Sequence, residues 1–187
     1  MQTEVPFKIQ SMISETQLEH LRYPVGRWQR PESLSQAALE ADLATLEAFP
    51  GILRPKVAHL SDEILNTPYR PDGWTVRQVI HHCADSHINC LVRFKLALTE
   101  DKPVIKPYAE EHWAELPDYQ LPIASSLEML TLVHARLRHI MTHMKPEDWL
   151  REYIHPQYGT TFALYQVASL YAWHCRHHLG HVELVVK

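Results

Sequence analysis

Four imidazoles crowd into two helical turns between Tyr171 and His181: His174, His177, His178 and His181. On a helix, residues four apart share a face, so His174 with His178, or His177 with His181, could reach one ion. Stepping by threes and fours gives an apolar line through Leu164, Val167, Tyr171, His174, His178 and Val182. A second line, Val167, Leu170, His174, His177, His181 and Leu184, is nearly as good. Periodicity therefore turns His174 inward and leaves His177 and His178 undecided. A second histidine group, His81, His82 and His87, lies in an uninterrupted stretch from Thr75 to Asp101. There a polar stripe of His82, Ser86, Asn89 and Arg93 runs between Val79 and Leu96. Burying such a stripe is costly unless its groups are paired or ligated, so it faces solvent or lines a site. Three histidines would leave a coordination position open, the arrangement of catalytic zinc, though imidazole ligands suit nickel, copper and iron as well.

These residues need helices to position them. From Ser33 the residues Leu34, Ala38, Leu39, Leu43, Leu46 and Phe49 recur at helical spacing until Pro50 and Gly51, where a break or kink is predicted before a continuation over Ile52 to Leu60. Pro68, Pro71 and Gly73 mark a loop. Thr75 with Gln78 forms a capping-box signature for a helix ending before Pro103. Ser125 with Glu128 signals another, running to about Met144, and Thr160 or Thr161 is the expected cap of the last. The segment from Lys102 to Ala124 reads as a structured loop with a helical turn at Glu110 to Leu116. The fold class is all-α, an antiparallel four-helix bundle with long crossovers. Residues 1–32, punctuated by Pro6, Pro24, Gly26 and Pro31, form an irregular or partly helical N-terminal arm, and 33–187 form a single bundle domain.

Composition removes several classes of function. An apolar share of 45% with 21% charged residues is ordinary for a globular chain. A net charge of −4, with Lys and Arg scattered, offers no footprint for nucleic acid or anionic lipid. No secretory signal or membrane-length apolar run is visible, so a cytoplasmic location is expected. Cys83, Cys90 and Cys175, with no CxxC pair, read as small buried hydrophobes rather than a disulfide or zinc module.

The stretch from Asn66 to His87, with Trp74, Thr75 and the His81–His82 pair, resembles the YfiT branch of the DinB-like family. Tyr23 to Gly26, Arg93 to Leu96 followed by Thr99 and Glu100, Lys106 to Tyr108 with Trp113, Tyr153 to Pro156, and Tyr171 to His181 also match, so the likeness spans about Tyr23 to Val185. Cys175 and Arg176 inside the terminal cluster are a local departure. The resemblance implies a four-helix bundle, homodimerisation, and one zinc or nickel ion held by His82, His174 and His178. It also implies two chemistries. In one, a low-molecular-weight thiol such as bacillithiol is activated at the ion and attacks an electrophile, with Asn89, Arg93 and Arg176 as candidates to orient carboxylates. In the other, an activated water hydrolyses a bond and Asp85 or Glu183 is the candidate base; neither forms an HExxH pair. Thiol transfer is the preferred reading, with hydrolysis, or a noncatalytic metal- or ligand-binding role, as the alternatives.

Overall fold

The computed structural model of the chain describes residues 13–186. The helices are α1 (Glu15–Arg22), α2 (Gln36–Val57), α3 (Asp62–Leu65), α4 (Val76–Thr99), α5 (Glu110–Trp113), α6 (Ala124–Thr142) and α7 (Leu164–Val185). Two 3-10 turns, Pro117–Gln120 and Pro146–Leu150, and a hairpin of β1 (Glu152–His155) and β2 (Thr160–Ala163) complete the described residues. Helices α2, α4, α6 and α7 make the bundle. Each of α2 and α4 packs against both α6 and α7, so consecutive helices α2 and α4 occupy opposite corners. That arrangement requires a long connection between them and puts α4, with His82, directly beside α7, with His174, His177, His178 and His181.

Helix α4 starts where its capping box predicts. The Thr75 hydroxyl accepts the Gln78 N–H at 3.2 Å, and the Gln78 side chain accepts the Thr75 N–H at 3.0 Å. It is buried on several faces because α3, α6, α7, the Pro117–Gln120 turn and β1 all pack against it. Val76, Ile80, Cys83, Cys90 and Phe94 enter the core, while His81, His82, His87 and Arg93 are buried with it. Leu46, Phe49 and Leu53 of α2, Leu130 and Leu137 of α6, and Leu164 and Val167 of α7 fill the interior. Each such side chain contributes about 1.5–3 kcal/mol by leaving water. The three cysteines are buried and free, as expected of small core residues.

Several expectations are corrected. Helix α2 runs unbroken through Pro50 and Gly51. Proline has no N–H to give the carbonyl four residues earlier, and in this chain His134 Nδ1 of α6 donates to the Leu46 carbonyl at 2.6 Å in its place. The Ser125–Glu128 capping box does not form: α6 begins at Ala124, the Ser125 hydroxyl donates to the Pro122 carbonyl, and Glu128 pairs with Arg54. Thr160 and Thr161 cap nothing, because they belong to β2, paired antiparallel with β1 so that Tyr153 lies opposite Phe162. Gln166 instead accepts the Ala163 N–H at 3.1 Å and closes the start of α7. Residues 1–12 of the N-terminal arm lie outside the described residues. The rest contains α1, started by a capping box in which Ser14 and Gln17 exchange backbone and side-chain bonds at 2.9 and 3.2 Å. A turn closed by the Gly26 N–H on the Tyr23 carbonyl follows, with Gly26 at φ +77°, a region that favours glycine.

Candidate metal centre

Helices α4 and α7 bring His82, His174 and His178 together. One ring nitrogen of each lies within 4.8 Å of the others. His82 and His178 are buried and His174 is half-buried, and all three line a cavity of about 920 Å³. The Nε2 atoms of His82 and His174 face each other at 3.1 Å. Two nitrogens at about 2.05 Å from one ion would subtend about 100° at that separation, within reach of tetrahedral geometry. Burial, followed by the His181 ring, lowers the His82 pKa to about 4. His174 and His178 fall well below the ordinary imidazole value, first through burial and then through neighbouring imidazoles. Neutral rings are the form that offers a lone pair, so the donor set has the chemistry a divalent ion requires.

A second triad, His177, His178 and His181, also has nitrogens within 4.8 Å of one another. It shares His178 with the first and comes from one helix alone. His181 is stacked on Tyr69 at 3.9 Å between ring centroids, and its Nε2 donates to the Arg22 carbonyl at 3.1 Å. His177 stacks on Trp173 and also lines the cavity.

The remaining candidates divide sharply. Arg93 lines the cavity, is 9% exposed, and has no carboxylate partner among the described residues. Its Nη1 reaches only the Tyr171 hydroxyl, at 3.4 Å, and that hydroxyl donates to the Ser86 carbonyl at 3.0 Å. Asn89 instead spends its amide on the Asp85 carbonyl one turn earlier, at 2.9 Å. Arg176 is exposed and reaches Thr45 on the α2 side. Asp85 accepts the Tyr119 hydroxyl at 2.8 Å, and Glu183 pairs with Lys56 at 2.9 Å. None of these four lines the cavity. Sequence reasoning missed Glu110, which begins α5 at the cavity wall. Desolvation raises its pKa, and Arg93 partly opposes this. The only signal was its place in the turn predicted at Glu110 to Leu116. His155 of the hairpin, also a cavity residue, was missed because the strands were.

The DinB superfamily model matches residues 45–182, a span that includes all three histidines of the first triad, the whole of α4 and α6, and part of α2 and of α7. The chain belongs to the DinB superfamily. A relative from Bacillus cereus (strain 03BB102), named "Putative metal-dependent hydrolase", is 44% identical over 170 residues, covering 91% of this chain and 98% of its own. A relative of the same description from Bacillus mycoides (strain KBAB4) is 43% identical over 165 residues, with 88% and 95% covered. The solved structure of YfiT from Bacillus subtilis, described as "a probable metal-dependent hydrolase with an unusual four-helix bundle topology", superposes with a TM-score of 0.85 at 40% identity, covering 88% of this chain and 95% of that one. The four-helix architecture expected from the sequence is thereby shared with a solved relative. No described helix is long and apolar enough to cross a membrane.

Proposed function

We propose that this chain is a metal-dependent enzyme in which His82, His174 and His178 hold one divalent ion, and that its nucleophile is a low-molecular-weight thiol bearing a carboxylate, of the bacillithiol type. The chemistry an ion supplies in such a site is acidification of a thiol or a water at its open position. The observation that carries the thiol reading is Arg93, a buried guanidinium in the same cavity as the three histidines with no carboxylate within 4 Å among the described residues. Burying an unpaired charge is unfavourable, and the carboxylate of an entering ligand would relieve it through a charge-assisted, bidentate contact. Tyr171, anchored on the Ser86 carbonyl, would hold the guanidinium in place. The aromatic walls of the cavity would exclude water from the electrophile. In the transfer, a carbon–sulfur bond forms, the bond from that carbon to its leaving group breaks, and the thiol proton goes to solvent.

Hydrolysis is the second reading, favoured by the description its relatives carry and by Glu110. A carboxylate whose pKa is raised toward neutrality suits proton transfer to or from an attacking water. Asp85 and Glu183 are poorly placed for that role because Tyr119 and Lys56 occupy them.

Metal analysis of the purified protein, followed by assays of electrophile loss and ester cleavage with and without bacillithiol, separates the readings. Thiol-dependent electrophile loss that weakens in Arg93→Gln, through a raised KM for the thiol, supports transfer. Cleavage without thiol that depends on Glu110 supports hydrolysis.

A further inference from the structure

Beyond the three histidines, the interior holds a chain of imidazoles whose hydrogen bonds run in one direction only. His134 Nδ1 lies 2.6 Å from the Leu46 carbonyl, His134 Nε2 lies 2.7 Å from His87 Nδ1, and His87 Nε2 lies 3.2 Å from His174 Nδ1. A carbonyl can only accept, so His134 Nδ1 carries the proton. The rings are buried or half-buried, and none meets a carboxylate within hydrogen-bond distance among the described residues, so each is neutral with one ring proton. It follows that His134 Nε2 accepts, His87 Nδ1 donates, His87 Nε2 accepts and His174 Nδ1 donates. His174 Nε2 is left bare, and it is the atom that faces His82.

A second, shorter chain repeats this logic on His178. His181 Nε2 donates to the Arg22 carbonyl at 3.1 Å, so His181 Nδ1 is an acceptor; it lies 3.3 Å from His178 Nδ1, which must then donate and leave Nε2 bare. Both chains end on carbonyls that helices leave without their usual partners. Leu46 lacks one because the residue four ahead is Pro50, and Arg22 because it is the last residue of α1. Gly180 lets the arm approach, since a Cβ there would sit 2.8 Å from Pro24 Cγ.

We propose that these two relays, His134–His87 and His181, are positioning devices that hold His174 and His178 as Nε2 donors before any ion arrives. The proposal deepens the metal reading and rests on it for its effect on affinity. A rival arrangement is an ion held by His87, His134 and Cys175, whose candidate ligand atoms lie within 4.8 Å of one another. With His134 Nδ1 on the Leu46 carbonyl, such an ion would have to take the His134 Nε2 lone pair that accepts from His87 Nδ1 at 2.7 Å, so it predicts loss of that hydrogen bond on zinc binding. Were His87 to bind through Nδ1, the 2.7 Å separation would force an angle of about 80° at an ion about 2.05 Å from each nitrogen. The other rival, an ion held by His177, His178 and His181, would use the His178 Nδ1 that lies 3.3 Å from His181 Nδ1, and so predicts the opposite tautomer at that ring.

Long-range 1H–15N correlation NMR of the labelled full chain, first metal-stripped and then zinc-loaded, reads each ring directly. Expected are Nδ1–H at His134, His87, His174 and His178 and Nε2–H at His181 without metal, with the four Nδ1 protons retained in zinc. Nε2–H at His174 or His178 in the stripped protein, or loss of the His178 Nδ1 proton on zinc binding, overturns the proposal. His134→Phe removes the acceptor for His87, whereas the His134→Gln side-chain oxygen can replace it. Zinc dissociation constants should rise about 10–100-fold in the first and stay near wild type in the second. Equal constants in all three proteins overturn the proposal, and if His134→Phe does not fold, the wild-type tautomers still decide. Predicted tautomers in a protein that binds no zinc would sustain the relays and remove the metal reading. Zinc on the three histidines with the opposite tautomers would do the reverse.

Discussion

Acidification should destabilise the metal-stripped protein well above the pH at which its carboxylates titrate, and His134 sets the scale. Burial lowers its pKa from 6.5 to about 4, partly offset by its bond to the Leu46 carbonyl. The unfolded chain takes up a proton on this ring as the pH falls through 6.5, whereas the folded chain resists until about 4. Its contribution to stability is therefore fully present above 6.5 and is lost progressively down to about pH 4. Linkage between those two values gives a loss of about 1.8 kcal/mol between pH 7 and pH 5 from this one ring. His181, lowered to about 4, and His177, lowered to about 3, act in the same direction. The rings interact, so their losses do not add simply. Urea denaturation in the presence of a chelator, followed by circular dichroism at pH 7, 6 and 5, measures the effect. His134→Gln should be less stable than wild type at pH 7 and show a pH slope that is shallower by about the single-ring amount. A stability curve flat from pH 7 to 5, or an identical slope in His134→Gln, would refute the inference that these rings are buried neutral.

Other outcomes test the remaining structure. His178→Ala should abolish tight metal binding while the helical circular dichroism signal stays near wild type, because the bundle core does not involve an ion; loss of helix on chelation would assign the metal a structural role instead. Leu53→Ala, at a position 1% exposed in the α2 face of the core, should cost about 2–5 kcal/mol in chemical denaturation with little effect on metal affinity. Gly180→Ala must push Pro24 away, and should destabilise the fold by about 1–3 kcal/mol and disturb the His181 NMR signals. A homodimer, expected from the family resemblance, should give a light-scattering mass twice the 21.8 kDa of the chain, and a mass equal to one chain at micromolar concentration would overturn it.

The sequence alone determined the features that depend on neighbours a few residues away. The Thr75–Gln78 box set the start of α4, the absence of Gly and Pro set its length, and the spacing of His174 and His178 placed two imidazoles on one face. The polar stripe along α4 could be recognised as costly without a partner, although only the fold decided that Ser86 and Arg93 line the cavity while Asn89 folds back on its own helix. Periodicity could not choose between His177 and His178, because adjacent helical positions differ by about 100° and both lie near the buried face. The choice depends on where α4 stands, and the packing of α4 against α7 sets His82 beside His174 and His178. Tertiary structure likewise overrode the proline rule in α2: a histidine 84 positions further on supplies the donor that Pro50 lacks, so the helix continues. The two end-caps predicted near Ser125 and Thr161 failed for a related reason, since a salt bridge and a strand pairing competed for the same residues. Local rules describe what a segment can do when its groups have no better partner, and packing decides when they have one.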